Sequence, residues 1–161
     1  MQEFFLLNSG IIWRLVLAIV LGALIGAERL LVHKEAGMKT HAMVAMGSAL
    51  FIVISEILVQ KYGGVYSDLD PSKIASQIIV GIGFLGAGSI IIHSNRLTGL
   101  TTAAGLWVTA GIGMAAGFGL LSLATISTIL VLIVLIIMNI FEKPLRRISQ
   151  ESIDEGKKRI D

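Results

Sequence analysis

Between Leu97 and Phe141 the chain places 45 consecutive residues without one Asp, Glu, Lys or Arg. A helix crosses the hydrocarbon of a bilayer in about 20 residues, so this run is too long for one crossing and must turn back inside itself. The small-residue stretch Gly113-Met-Ala-Ala-Gly117-Phe-Gly119 is where the turn is expected. A connection that short makes the two flanking helices a tight hairpin. The solvent for most of this chain is therefore lipid, and in lipid every backbone polar group has to be paired within the protein.

The rest of the chain agrees. Hydrophobic residues make up 55% and charged residues 15%, and the mean hydropathy is +0.85, values that belong to membrane proteins. The absence of cysteine removes disulfides, thiolate nucleophiles and thiolate metal sites. A net charge of +2 gives no basis for a nucleic-acid partner. Met1 to Gly10 carry Glu3 and no Lys or Arg, unlike the basic start of a cleavable signal peptide, so the first hydrophobic stretch is expected to remain in the protein.

Five segments have spanning length: Ile11–Leu30, His41–Val59, Ile74–Ile92, Leu100–Phe118 and Leu120–Phe141. The expected fold class is all-α, a polytopic membrane bundle of about five transmembrane helices over 1–141 with a short cytoplasmic tail over 142–161. Four spans with one re-entrant segment is the alternative. Lys and Arg in short loops favour the cytoplasmic side. Arg29, Lys34 and Lys39 follow the first span, Arg96 follows the third, and Lys143, Arg146 and Arg147 follow the fifth. The opposite side offsets Lys61 and Lys73 with Glu56, Asp68 and Asp70. Five crossings and this bias both put the N-terminus outside and the C-terminus in the cytoplasm. Lys157-Lys158-Arg159 lies among acidic residues and reads as a solvated tail.

The third span carries Gly81-Ile-Gly83-Phe-Leu-Gly86-Ala-Gly88. Gly-x-Gly-x-x-Gly binds a dinucleotide when a strand precedes it and a helix follows in a βαβ unit. Nothing here alternates in that way, so the glycines read as a membrane helix that lets neighbouring backbones approach closely. Gly22-x-x-x-Gly26 in the first span and Gly113-x-x-x-Gly117 in the fourth read alike, and make a homodimer an expectation. Asp70-Pro71-Ser72 sets an N-cap acceptor before a proline at the first helical position.

Ionisable groups inside spans are costly and mark candidate sites. Arg14 falls near the outer end of the first span, Glu28 and Arg29 at its inner end. Arg29 reads equally as a headgroup anchor. Glu28 needs a cationic partner. Arg29 is adjacent but about 100° around the helix, which leaves Lys39 and Arg96 as equal candidates. Lys73, Gln77 and Gly81 form a stripe descending the third helix, and with Glu56, Asp68 and Asp70 they outline an outer vestibule of oxygen ligands suited to Mg²⁺. Loop carboxylates and an interfacial lysine are the plainer reading of the same residues. His33, His41 and His93 fall on the cytoplasmic side, where they could gather as a metal or pH-sensing group, although their spacing matches no zinc pattern. Thr98, Thr101 and Thr102 at the start of the fourth span offer caps or donors. No nucleophile and base occur at hydrolase or transferase spacing, so no enzymatic activity is expected; cofactors are not indicated.

Several of these blocks occur in a fixed order: Gly22-Ala-Leu-Ile-Gly-Ala-Glu28-Arg29, Ala36-Gly-Met-Lys-Thr-His41, Met46-Gly-Ser-Ala-Leu-Phe51, Asp70-Pro-Ser-Lys-Ile-Ala-Ser-Gln77, Gly81 to Gly88, and Gly99-Leu-Thr-Thr-Ala-Ala104 with Trp107. Together, over Arg14 to Gly119, they closely resemble the MgtC/SapB/YhiD family of bacterial inner-membrane proteins. The resemblance implies a multi-pass protein linked to magnesium limitation, acid stress and, in pathogens, survival inside macrophages. For the long members it implies restraint of the rotary ATP synthase rather than carriage of magnesium, and those members add a cytoplasmic C-terminal domain of the ACT type. This chain ends 20 residues after Phe141 and resembles the short branch, so that role is not expected to carry over. The family's glutamate and arginine fall on Glu28 and Arg29, and its glycine block on Gly81 to Gly88. Lys39 stands where an arginine is usual, which keeps the charge and loses the planar fork. Two functions follow as expectations. One is a non-enzymatic regulator that binds another membrane protein or a second copy of itself. The other is a small Mg²⁺ or H⁺ transporter lined by Glu28, Gln77 and the threonines.

Overall fold

The computed structural model describes the backbone of residues 2–63, 70–93 and 96–158, with side chains at 8–63, 70–92 and 97–142. Five helices follow one another: α1 (Gln2–Leu31), α2 (Met38–Tyr62), α3 (Pro71–Gly88), α4 (Leu100–Gly117) and α5 (Leu121–Lys158). Between α3 and α4 lies a small antiparallel hairpin, β1 (Ile91–His93) and β2 (Arg96–Thr98), with Ile91 opposite Thr98 and Ile92 opposite Leu97. Among the described residues four stretches are long and apolar enough to cross a membrane: Asn8–Leu31, Met38–Tyr62, Leu100–Gly117 and Leu121–Glu142.

The expected third span, Ile74–Ile92, needs correction at both ends. The helix starts at Pro71, where Asp70 Oδ1 accepts from the Ser72 amide at 2.8 Å and Asp70 Oδ2 from the Ser72 hydroxyl at 2.7 Å. It stops at Gly88, and the β-branched run Ile90-Ile91-Ile92 leaves helix for strand. Gly99 then turns the chain into α4 at φ +89°, a conformation closed to other residues here because a Cβ would strike Ser89 and Ile90. Gly99, with no side-chain acceptor, holds the N-cap of α4; Thr98 Oγ1 donates instead to the Ile91 carbonyl at 3.2 Å. The expected threonine cap is therefore not made.

The apolar run turns where the small residues end. α4 remains helical through Gly117, and Phe118, Gly119 (φ +75°) and Leu120 make the turn. Helix α5 passes Phe141 without a break and its backbone is helical to Lys158.

Three helices make the core. α1 runs antiparallel to α2, with Gly22 opposite His41 and Gly26 opposite Met38. α4 runs parallel to α2, with Gly105, Gly113 and Gly117 opposite His41, Ala45 and Ala49 in turn. The two small-residue faces at Gly22/Gly26 and Gly113/Gly117, expected to serve a homodimer, are thus both consumed inside the chain. Lipid gives apolar helices no reason to leave it, so contact of this kind rests on packing of close backbones. Ala18, Leu21, Ile25, Ala45, Ala49, Ile112, Ala116 and Ala124 fill the interior.

α5 lies on α1 and α4, and α3 packs antiparallel along α4 with Gly86 against Ala103. Directions alternate from α1 to α5; α3 lies beside a helix of spanning length but is not itself among the four stretches long and apolar enough to cross, so four of the five expected spans are matched.

Candidate functional site

Two charge clusters close the bundle, one at each end. At the first, Arg14 Nη1 donates to Glu56 Oε2 at 2.6 Å and to the Gly117 carbonyl at 2.9 Å. The guanidinium thus joins α1, α2 and the last turn of α4, whose carbonyls lack helical partners. Glu56 was expected in an outer vestibule for a cation; it is instead the partner of Arg14. Gln77 is exposed and lines a groove between α2 and α3 with Gly81, and Asp70 is occupied by Ser72. The Ser72 hydroxyl, and then its amide, hold the Asp70 carboxyl below its ordinary value. Asp68 lies outside the described residues. Among the described residues no three His, Asp or Glu side chains gather as a metal site.

At the second end α1 finishes with Glu28, 8% exposed, and Arg29, 1% exposed. Arg29 Nε donates to Glu28 Oε2 despite their adjacency in sequence, and Asn139 Nδ2 of α5 donates to Glu28 Oε1 at 2.8 Å. Arg29 Nη2 lies against the same carboxylate oxygen, out of line for a hydrogen bond, and meets no other acceptor among the described residues. Arg29 is therefore no headgroup anchor. Lys39, exposed, does not serve Glu28, and the side chain of Arg96 lies outside the described residues.

His41, fully buried in the first turn of α2, approaches the Gly37 carbonyl through Nδ1 at 3.0 Å and is within electrostatic reach of Arg29 and Glu28. His33 sits exposed in the loop after α1, at φ +56°, so these two histidines do not converge. The side chain of His93 is outside the described residues. Thr102 is buried on α4 and Thr101 is exposed.

One member of this cluster went unmarked in the sequence, and one pairing was not fixed by it. Asn139 is the single amide in the apolar stretch of α5, a costly residue that has to find a partner. The adjacent pair Glu28-Arg29 meets because the long arginine stem curls back, which side-chain direction from an ideal helix does not reveal.

The glycine block divides in the structure. Gly86 faces Ala103, whereas a Cβ on Gly81, Gly83 or Gly88 would meet no atom within 4 Å. Around them Val80, Phe84 and Leu85 are largely exposed, Phe84 at 81%. Beside this face, Met43, Gly47, Ser48 and Phe51 of α2 oppose Ile74, Gln77 and Gly81 of α3 across a groove of about 520 Å³.

An alternating helical bundle of apolar spans, with its ionisable groups paired inside, defines a multi-pass membrane protein. A model of the MgtC family matches residues 15–144. The chain belongs to that family. It is 43% identical over 111 residues to "Putative magnesium transporter YhiD" of Escherichia coli K12, covering 64% of this chain and 48% of that one. It is 41% identical over 110 residues to "Protein MgtC" of Brucella abortus strain 2308 (68% and 43% covered). With "Protein MgtC" of Salmonella typhimurium strain 14028s the identity is 47% over 96 residues (60% and 38% covered). The chain thus spans about half the length, or less, of these relatives, YhiD included. No solved structure matches it.

Proposed function

We propose that this protein is a non-enzymatic regulator of the bacterial inner membrane, linked to magnesium homeostasis or acid stress, which receives a helix of another membrane protein on α3. The observation that carries this reading is the unpartnered glycine block. A Cβ on Gly81, Gly83 or Gly88 would meet no described atom within 4 Å, while Gly22, Gly26, Gly113 and Gly117 of α1 and α4 sit against α2 or the residue before it. In lipid a glycine face lowers the distance at which two helices can pack, and so favours a second helix over acyl chains. The loop charges orient the bundle with its N-terminus outside and the Glu28 end towards the cytoplasm.

The printed name of the Escherichia coli relative favours transport of magnesium instead. Against it stands the interior between the two charge clusters, which is packed by Ala18, Leu21, Ile25, Ala45, Ala49 and Ile112 and, among the described residues, buries no carboxylate other than the paired Glu28.

The test is a photo-activated cross-linker placed at Val80 or Phe84 in bacterial membranes. The regulator reading expects one discrete cross-linked membrane protein, lost with Gly81→Leu and absent when the linker sits on the far face of α5. A product of twice the chain's mass would identify a second copy as the occupant. Cross-links to lipid alone, together with Mg²⁺ or H⁺ flux into proteoliposomes that Glu28→Gln abolishes, would overturn the regulator and establish the transporter.

A further inference from the structure

We propose that His41, Gly105 and Arg29 form a buried binding site for one small uncharged hydrogen-bond donor, water in the isolated protein, held on His41 Nε2. The imidazole fixes the polarity of the site. Its Nδ1 faces the Gly37 carbonyl at 3.0 Å, and a carbonyl only accepts, so Nδ1 carries the proton and Nε2 of the neutral ring is an acceptor. Nε2 is buried and meets no hydrogen-bonding group among the described residues. Buried acceptors are satisfied by protein or by ordered water, and here no described residue supplies a donor to it.

Room is provided by α4. A Cβ on Gly105 would stand 3.4 Å from His41 Nε2, so the glycine leaves a methyl-sized space directly before the nitrogen. Thr109 Oγ1 donates to the Gly105 carbonyl at 2.7 Å, which turns that hydroxyl away from the histidine and fixes the wall. A buried water needs two to four polar partners. The second is assigned to Arg29 Nη2, a donor and the other buried side-chain nitrogen without a hydrogen bond among the described residues, on a side chain within electrostatic reach of His41. The occupant carries no charge because the surroundings cancel. Glu28 and Arg29 of α1 neutralise one another, and Thr102, Gly105 and Thr109 of α4 are uncharged. Thr102, one turn before Gly105, lines a pocket of about 410 Å³ that also touches Glu35, Thr40 and Ser89. The site ties α1, α2 and α4 together at one point and is independent of what docks on α3.

The experiment is solid-state NMR of the full chain, labelled with ¹⁵N-histidine, in lipid bilayers. His33→Gln and His93→Gln versions assign the His41 signals by elimination. The expected spectrum has a protonated Nδ1, an unprotonated Nε2 and a water-proton cross-peak to Nε2. Gly105→Ala should abolish that cross-peak. Gly111→Ala, where a Cβ meets nothing within 4 Å, should leave it intact. Gly105→Ser replaces the water by its own hydroxyl, so Nε2 should stay hydrogen-bonded with the cross-peak gone. A wild-type His41 that is protonated at Nε2, or that shows no water contact, overturns the proposal without any variant. A cross-peak unchanged in Gly105→Ala does the same.

Discussion

Two glycine-to-alanine substitutions, identical on paper, should move this protein in opposite directions. At Gly22 the new Cβ would come within 2.5 Å of the His41 carbonyl oxygen and 2.9 Å of Ala45 Cβ. Atoms in contact rest about 3.5–4.0 Å apart, so α1 has to withdraw from α2 by roughly 1 Å. Overpacking of this kind costs about 1–3 kcal/mol, and both neighbours belong to the central helix and cannot step aside. At Gly83 nothing lies within 4 Å, so alanine only gains its helix preference, about 0.8–1.0 kcal/mol. The two variants should differ by about 2–4 kcal/mol, at least a roughly thirty-fold ratio of folding equilibria. The assay is reversible unfolding of the full chain in mixed micelles by sodium dodecyl sulfate, followed by Trp13 and Trp107 fluorescence. Gly22→Ala as stable as wild type, or Gly83→Ala the more damaging, would refute the division of the glycines into packed and free.

The buried pair gives a sharper hierarchy. Asn139→Leu leaves one Glu28 oxygen without its donor and should cost about 1–3 kcal/mol. Glu28→Leu strands Arg29 in the interior and should cost about 3–5 kcal/mol, while the double variant Glu28→Leu, Arg29→Leu should recover much of the loss. The same unfolding assay reads all three. At the other end, Arg14→Gln loses a charge-assisted bond to Glu56 and one to Gly117, about 1.5–3 kcal/mol if each survives partial solvent screening, and it should exceed Glu56→Gln. Asp70 has its carboxyl held down by Ser72, so the folded state binds its proton less readily than the unfolded chain. The cap on α3 is therefore fully present above pH 3.8 and is lost as pH falls through the lower folded value. Protection of the Ser72 amide from hydrogen exchange, relative to its intrinsic rate at each pH, should fall in acid, and Asp70→Asn, still a capping residue, should remove that fall.

Much of the architecture was legible in the chain. The uncharged run from Leu97 to Phe141, the cap at Asp70-Pro71 and the ordered blocks from Gly22 to Trp107 suffice for an all-α membrane bundle and for the family. These are local properties: the length of an apolar segment against a bilayer, and a side chain reaching an amide two residues away. The end of α3 was misplaced because Ile90 to Ile92 is as apolar in a strand as in a helix, and hydropathy does not separate the two.

The site needed the tertiary structure. Glycines in α1, α3 and α4 look alike in sequence, and only the arrangement of the helices shows that those at 22, 26, 113 and 117 are covered and those at 81, 83 and 88 are not. Glu28 could have paired with Arg29, Lys39 or Arg96; among the described side chains Arg29 takes one carboxylate oxygen and Asn139 of α5 the other. Glu56 and Arg14 are 42 residues apart and needed an antiparallel contact to meet. The chain by itself determined which segments enter the membrane, since transfer into lipid depends on each segment's own composition. Which polar groups meet there, and which helix face is left uncovered, depends on distances between segments, and packing alone sets those.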